Sequence, residues 1–557
     1  MSLPKKHREE TEKLIREQSK TNSDKIKFAH WILNEGFYPE PFVLPPCFKI
    51  SDFNLSSDRH ESKSYDASNW KSYELANISF PKTGLIQRVF SIMHPKRFHD
   101  IVWELTTNWE DLLDKLFDPD NEIYSYSFPI SITQNNQGKL RSGRMVYEFL
   151  EMAEKDLVAE AHNYNKIAKV DITNFYNSVY THTIAWSWIG DRKKALSDSG
   201  VFNFVGTKLD KLFQYSNDQR TNGLAVGPVI SDLIVELILS ERDKEISKKI
   251  RELGIDFLAT RFKDDYKILT NSKEEGEKIV KIIIDVLGEF NLQVNEAKTQ
   301  ILDLPEGLYR PHAIKYEPNS LRKNDESKID FKTFEYTLLK SLEIHREHLG
   351  TSILEKFLSE LINKNKQLPV YQRLKISFPN ENIPTDRPNY EKVRRKNIQK
   401  AISLLFMLKN ESPKSMGKVL SIIECIILDP SNHWLKDNDL LIDLFLAEME
   451  KAILKSSSFE LLWLLYFSRR HQIDVDLIRL IKTLKKQGKI QQTQSQLEIL
   501  KNPFIATLRN KMPTIGEWSN PFGDNEININ MFTSPENLKD TYLIDYLDIF
   551  DRGEPEN

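Results

Sequence analysis

Cysteine is nearly missing from this chain: Cys47 and Cys425 are the only two among 557 residues, and they form no CxxC pair. That excludes a disulfide framework and a thiolate zinc site, and makes a reducing cytoplasm the expected compartment. Long apolar runs are missing too. The most apolar short stretch, residues 461–467, falls far below the roughly 20 residues that span a bilayer. Residues 1–20 are crowded with Lys, Arg and Glu and lack the apolar segment of a signal peptide, so neither secretion nor a membrane partner is expected. Charge of one sign is also lacking. The net charge is −3, so any surface for a polyanion has to be a local concentration of Lys and Arg. What is present is a globular composition, 40% hydrophobic and 29% charged, which argues against a disordered chain. At this length two or three domains are expected.

The organisation changes along the chain. After a charged helical start, residues 36–48 (GFYPEPFVLPPCF) carry four prolines, which rules out regular helix. From about residue 85, helical patterns alternate with Ser-, Gly- and Lys-rich stretches, among them a basic loop at Lys139, Arg141 and Arg144. Residues 165–305 mix strand-like runs with helices and hold the polar residues that look chemical. Beyond about Asp330 apolar residues recur at spacings of three and four, a run of helices and little else, as in stacked antiparallel hairpins. The expected division is 1–84, an N-terminal extension; 85–328, a mixed domain; 329–511, an α-helical repeat domain; and 512–557, a tail. The best linker in the second half is NENIPTDRPNY, residues 380–390.

Two segments carry the chemistry. KIAKVDI, residues 166–172, is a short β-branched run that ends on an acid, Asp171. Taken alone, Asp171 reads first as a cap for the next helix. LATRFKDDYKIL, residues 258–269, reads as a β-hairpin with Asp264 and Asp265 at its turn. An exposed turn rich in Asp is the ordinary explanation for that segment alone. Together they are more specific, because hard carboxylate oxygens from separate strands suit a pair of Mg²⁺ ions that serve phosphoryl transfer. Alternation along a strand suggests that Asp171 and Asp264 share a face while Asp265 points partly aside. Between the two segments, GLAVGPVIS, residues 223–231, places Gly227 and Pro228 where a loop opens a helix. Lys298, in LQVNEAKTQIL, could reach a triphosphate, although an isolated lysine is usually a solvated one.

The order DITNFYNSVYTH, GLAVGPVIS, RFKDDY and FNLQVNEAKT resembles the successive palm motifs of reverse transcriptases. It is most similar to the abortive-infection (Abi), defence-associated class of bacteria and phages. GFYPEPFVLPPCF and SYSFPI look like the N-terminal and finger regions of that class, so the likeness covers about residues 30–305. The resemblance implies an α+β fold, a right-hand-like polymerase palm and fingers followed by an all-α HEAT-like helical-repeat domain. It aligns Asp171, Asp264 and Asp265 with the catalytic, metal-binding aspartates. It aligns Tyr176 with an aromatic gate that excludes a ribose 2′-OH, with Phe175 as its buried neighbour. Gly227 and Pro228 match the loop backing the incoming nucleotide, and Lys298 the lysine that follows the hairpin. Lys263 departs from the pattern, which usually has an apolar or small residue before the acidic pair.

What the resemblance implies about function is an antiphage DNA polymerase that uses dNTPs and two Mg²⁺ ions, with Mn²⁺ as an alternative. Its synthesis is expected to be template-independent and primed by a tyrosine of the protein, leaving a DNA product covalently attached in a homo-oligomer. No recognisable thumb follows Pro305, which agrees. No motif marks the priming residue; Tyr38, Tyr65, Tyr73, Tyr542 and Tyr546 are the candidates, each also readable as a packing tyrosine. Two other readings stay open: copying of a noncoding RNA, which would make RNA a partner, and a catalytically weak nucleic-acid-binding scaffold, for which Lys263 is the best support. His182 and the stripe Trp463, Tyr466 and Phe467 read as structural.

Overall fold

The computed structural model describes residues 2–56, 70–83, 86–134, 140–142, 146–324, 328–378, 389–435, 439–490, 498–512, 515, 518 and 529–547. Tyr65, Lys139, Arg144 and most of the 380–390 linker lie outside the described residues. Helices α1 (Leu3–Gln18) and α2 (Asn22–Glu35) lead into the proline-rich segment. Thr21 and Asp24 close a capping box at the start of α2, which satisfies backbone N–H groups that a helix leaves open. Strands β1 (Ala76–Pro81) and β2 (Gln87–Ile92) form one antiparallel hairpin that straddles residue 84. After α3 (Pro95–Thr107) and α4 (Trp109–Leu116) come β3 (Ile123–Ser125), the paired short strands β4 (Ile130–Gln134) and β5 (Leu140–Ser142), and α5 (Val146–Glu160).

The centre is a five-stranded sheet, in the order β3-β7-β8-β6-β9. It joins β3 to β6 (Lys166–Asp171), β7 (Leu258–Phe262), β8 (Asp265–Thr270) and β9 (Gln300–Asp303). Helices α6 (Phe175–Ser178), α7 (His182–Ile189), α8 (Arg192–Ser197), α9 (Val205–Tyr215) and α10 (Val229–Glu252) lie between β6 and β7, and α11 (Lys273–Gly288) between β8 and β9. Side chains alternate across each strand, so the sheet has two unlike faces. Ala168, Val170, Ile172, Tyr266 and Ile268 join the main apolar core, against α10 and α11. Ile167, Leu258 and Leu269 form a smaller cluster with Ala153 and Leu157 of α5 and with Leu308.

From α12 (Pro311–Tyr316) on, apart from the two-residue strands β10 (Ile329–Asp330) and β11 (Ile376–Ser377), the regular elements of the described residues are helices. Consecutive helices pack as pairs: α13 (Phe331–Glu347) on α14 (Ile353–Glu360), α15 (Tyr390–Glu411) on α16 (Met416–Leu428), and α17 (Leu440–Leu454) on α18 (Ser458–Arg470). The second members touch in series, α14 on α16 and α16 on α18. Helices α19 (Leu477–Lys486), α20 (Pro503–Asn510) and α21 (Leu543–Leu547) follow among the described residues. Trp463, Tyr466 and Phe467 on α18 are fully buried, as core residues rather than an exposed stacking platform.

One apolar core runs from the N-terminal segment through the sheet to these helices. The proline-rich segment bridges them. The Trp463 indole N–H donates to the Val43 carbonyl at 3.4 Å, Phe80 packs edge-on against Phe459 at 5.0 Å, and the Thr533 N–H donates to the Cys47 carbonyl at 2.8 Å. No helix of the described residues is long and apolar enough to cross a membrane.

Candidate active site

Strand β6 pairs on both sides, with β8 and β9, so Asp171 is carried to the end of a central strand, where its side chain is buried. In the β6–β8 register Asp171 stands directly opposite Asp265, and opposed residues of an antiparallel pair share a face. The expectation that Asp264 shares that face while Asp265 turns aside is therefore corrected. Asp265 belongs to β8, whereas Asp264 occupies the two-residue turn, where alternation no longer applies. Lys263, the first residue of that turn, takes the left-handed φ of +52° that such tight hairpins require. Asp264 still abuts the pair, because the Ile172 N–H donates to its carbonyl at 3.1 Å.

The other motifs close around this point through the backbone. The Asn295 N–H donates to the Asp171 carbonyl at 2.7 Å, and the Thr173 N–H to the Gln293 carbonyl at 2.7 Å. The Leu224 N–H donates to the Tyr176 carbonyl at 2.9 Å, and the Gly223 N–H to that of Val179 at 2.8 Å. The Lys298 ammonium sits 2.7 Å from Asp171 Oδ2.

Electrostatically the cleft is crowded with negative charge. Desolvation, then Asp264 and Asp171, pushes the Asp265 carboxyl up to about 7, and Asp265 hydrogen-bonds Asp171. Burial, together with Asp171, also raises Asp264, against the opposing pull of Arg88 and Lys263. Arg88, exposed on the β1–β2 hairpin, acts on Asp264 through its charge, and sequence reasoning missed it because a single arginine in QRV carries no signal.

Among the described residues no three His, Cys, Asp or Glu side chains are gathered as a ready-made metal cage. The donor set nevertheless fits hard divalent cations. It consists of carboxylate oxygens from two adjoining backbone elements, with Asp264 and Asp265 raised by burial first and by their acidic neighbours second, and with Lys298 paired to Asp171.

A buried network holds the hairpin from beneath. The Arg261 guanidinium donates to both oxygens of Glu236 at 3.0 Å and to Asp243 Oδ2 at 2.7 Å, and the Tyr266 hydroxyl donates to Asp243 Oδ1 at 2.8 Å. Burial pushes Asp243 up to about 6, with Arg261 opposing the shift. Sequence reasoning missed Glu236 and Asp243, although a signal was there: the two acids are seven residues apart and so fall on one face of the helix.

Tyr176 is half-buried beside the fully packed Phe175. Its hydroxyl donates to Asp232 in the first turn of α10, and the Lys263 ammonium approaches the same carboxylate at 3.7 Å. The departure at Lys263 thus has a physical account, since its side chain reaches Asp232. Gly227, at φ +128°, lies where a Cβ would come within 2.8 Å of the Pro39 Cβ, so its smallness admits the proline-rich segment. Pro228 caps α10, and the Val229 N–H donates to the Gly36 carbonyl at 2.8 Å.

The described priming candidates lie in packed surroundings. The hydroxyls of Tyr38 and Tyr546 donate to the Met531 and Leu44 carbonyls at 2.7 and 2.9 Å, and Tyr73 stacks on His94 at 3.7 Å. Tyr542 is partly buried against the core. His182 pairs with Asp210 at 2.5 Å, and this bond raises its pKa, as in a structural histidine.

The family model described as reverse transcriptase (RNA-dependent DNA polymerase) matches residues 121–336. No curated protein matches the chain. Among solved structures the chain is similar to apo telomerase from Candida tropicalis, at 14% identity over 70% of this chain and 76% of that one, with a TM-score of 0.31. It is also similar to telomerase from Candida albicans in complex with a TWJ fragment of telomeric RNA, at 11% identity over 71% of this chain and 66% of that one, with a TM-score of 0.29.

Proposed function

We propose, from the premise that residues 121–336 are a reverse transcriptase domain and so the nucleotidyltransferase core of an RNA-directed DNA polymerase, that Asp171, Asp264 and Asp265 form its reaction centre. The observation that carries this is their convergence at one end of the sheet, with Asp171 opposite Asp265 and Asp264 next in the turn. In the reaction a hydroxyl oxygen bonds to the α-phosphorus of a dNTP, the bond from that phosphorus to the bridging oxygen breaks, and pyrophosphate leaves. Two Mg²⁺ ions, held by the three aspartates, would supply charge stabilisation for the entering and leaving oxygens. Lys298 moderates the charge on Asp171 and can turn to the phosphates. Arg88, whose charge acts on Asp264, is the candidate cation for the triphosphate. The ring of Tyr176, held at its hydroxyl by Asp232, sets the width of the sugar site.

The finer reading is a cytoplasmic antiphage enzyme of the Abi kind, a homo-oligomer making protein-primed, template-independent DNA. It is supported by the motif resemblance and by paired helices in place of a thumb, whose serial contacts agree with a HEAT-like stack. The scaffold reading loses its best support, because Lys263 is directed to Asp232. Full-length protein incubated with labelled dNTPs and Mg²⁺, without template or primer, is expected to acquire label that survives denaturation, and Asp264→Asn to abolish it. Label only on a primer annealed to RNA would overturn the template-independent reading, and equal labelling by Asp264→Asn would overturn the assignment of the centre.

A further inference from the structure

Lys169 and Lys267 stand directly opposite each other in the β6–β8 register, two residues along the strands from Asp171 and Asp265 and on the same face. Like charges placed this way repel, and a folded sheet keeps them only where an anion is close at hand. The anion at hand is Glu154 of α5, which accepts from Lys267 at 3.0 Å and from Arg310 at 2.9 Å through one oxygen, Oε1. Lys169 is half-buried and, among the described residues, its side chain makes no hydrogen bond or ion pair; Glu154, Glu306 and Asp265 act on it only through their charge. These groups open onto a cavity of about 200 Å³, lined by Lys169, Asp171, Asp265, Lys267 and Lys298 and roofed by Ala153. That is smaller than the roughly 300–1,000 Å³ of small-molecule sites, and suits a piece of a strand rather than a whole nucleotide.

We propose that Lys169 and Lys267 form a seat for a backbone phosphate of the growing DNA strand, and that Glu154 occupies this seat in the free protein. The inference rests on the polymerase reading above. It commits to the growing strand because the two sides of the carboxylates differ. The charge of Arg88 acts on Asp264, whereas the lysine pair lies two residues from Asp265, about 7 Å farther along the strands. A strand with its end at the carboxylates passes its next phosphates over that position. Its phosphate would displace the Glu154 carboxylate from Lys267 and give Lys169 a counter-ion.

The test is metal-free binding of the full-length protein to a labelled single-stranded DNA oligonucleotide and to RNA of the same sequence, followed against salt. Lys169→Gln is expected to weaken DNA binding about five- to tenfold and to lower the salt slope by about one. Lys169→Arg should keep both, and Glu154→Gln should tighten binding. Unchanged affinity and slope in Lys169→Gln, or a loss confined to RNA, would overturn the seat. Parallel incorporation assays separate the two levels. A chain that incorporates dNTPs but ignores Lys169→Gln overturns the seat, whereas one that binds DNA through Lys169 and incorporates nothing overturns the reading of the reaction centre.

Discussion

Tyr176, proposed as the sugar gate, is held at two points. A ring that only filled space could rotate away from a ribose 2′-OH, but this one is packed at its edge by Phe175 and tethered at its hydroxyl by Asp232. Shrinking it should therefore open the sugar site without disturbing the carboxylates. Tyr176→Ala is expected to admit ribonucleotides, which competition between labelled GTP and dGTP would measure; unchanged preference would remove Tyr176 from the gate. The tyrosine was legible in the sequence from its place five residues after Asp171. Its tether was not, because Asp232 lies 56 residues away and only the seating of α10 against α6 brings the two together.

At the scale of elements, the β7–β8 hairpin is held by Arg261 more than by its own turn. The guanidinium is 1% exposed and its partners Glu236 and Asp243 are also buried, so removing it leaves two carboxylates in the core without a counter-charge. Breaking one side of a buried ion pair costs about 3–5 kcal/mol. Arg261→Met should lower unfolding stability by an amount of that order in urea titration. A loss below about 1 kcal/mol would show that solvent reaches the network. The hairpin itself was legible from two strand-like halves meeting at Asp264 and Asp265, but the ranking of the two acids was not. Alternation is a property of paired strands, and the β7–β8 pairing decides which residue belongs to the strand and which to the turn, while the register with β6 decides what the strand residue faces.

At the scale of the molecule, the proline-rich segment joins the Gly227 loop to the helical half. Pro39 packs on Gly227, Val43 accepts from Trp463, and Cys47 accepts from Thr533. Trp463 is fully buried at this junction, and replacing such a side chain by alanine costs about 3–5 kcal/mol. Trp463→Ala should loosen the segment as well as destabilise the chain, so limited proteolysis is expected to cut near residues 36–48 sooner than in the native protein. Cleavage at an unchanged rate would mean that the segment is held by the sheet alone. The sequence showed that residues 36–48 could not be helix, yet not what they would cover, because proline dictates local φ and says nothing of distant partners.

By itself the sequence determined the local chemistry: an acid closing a β-branched strand, an acidic hairpin turn, a glycine loop before a long helix, and helices through the second half. Each follows from residue type and spacing within about a dozen positions. Only the tertiary structure decided that Asp265 rather than Asp264 faces Asp171, that Arg88 comes within reach of Asp264, and that Lys263 turns to Asp232. It also placed Lys169 and Lys267 opposite each other on a cleft face. Each of these depends on which residues meet across a register or a packed interface, and such meetings are decided by the burial of the whole core, which no local pattern encodes.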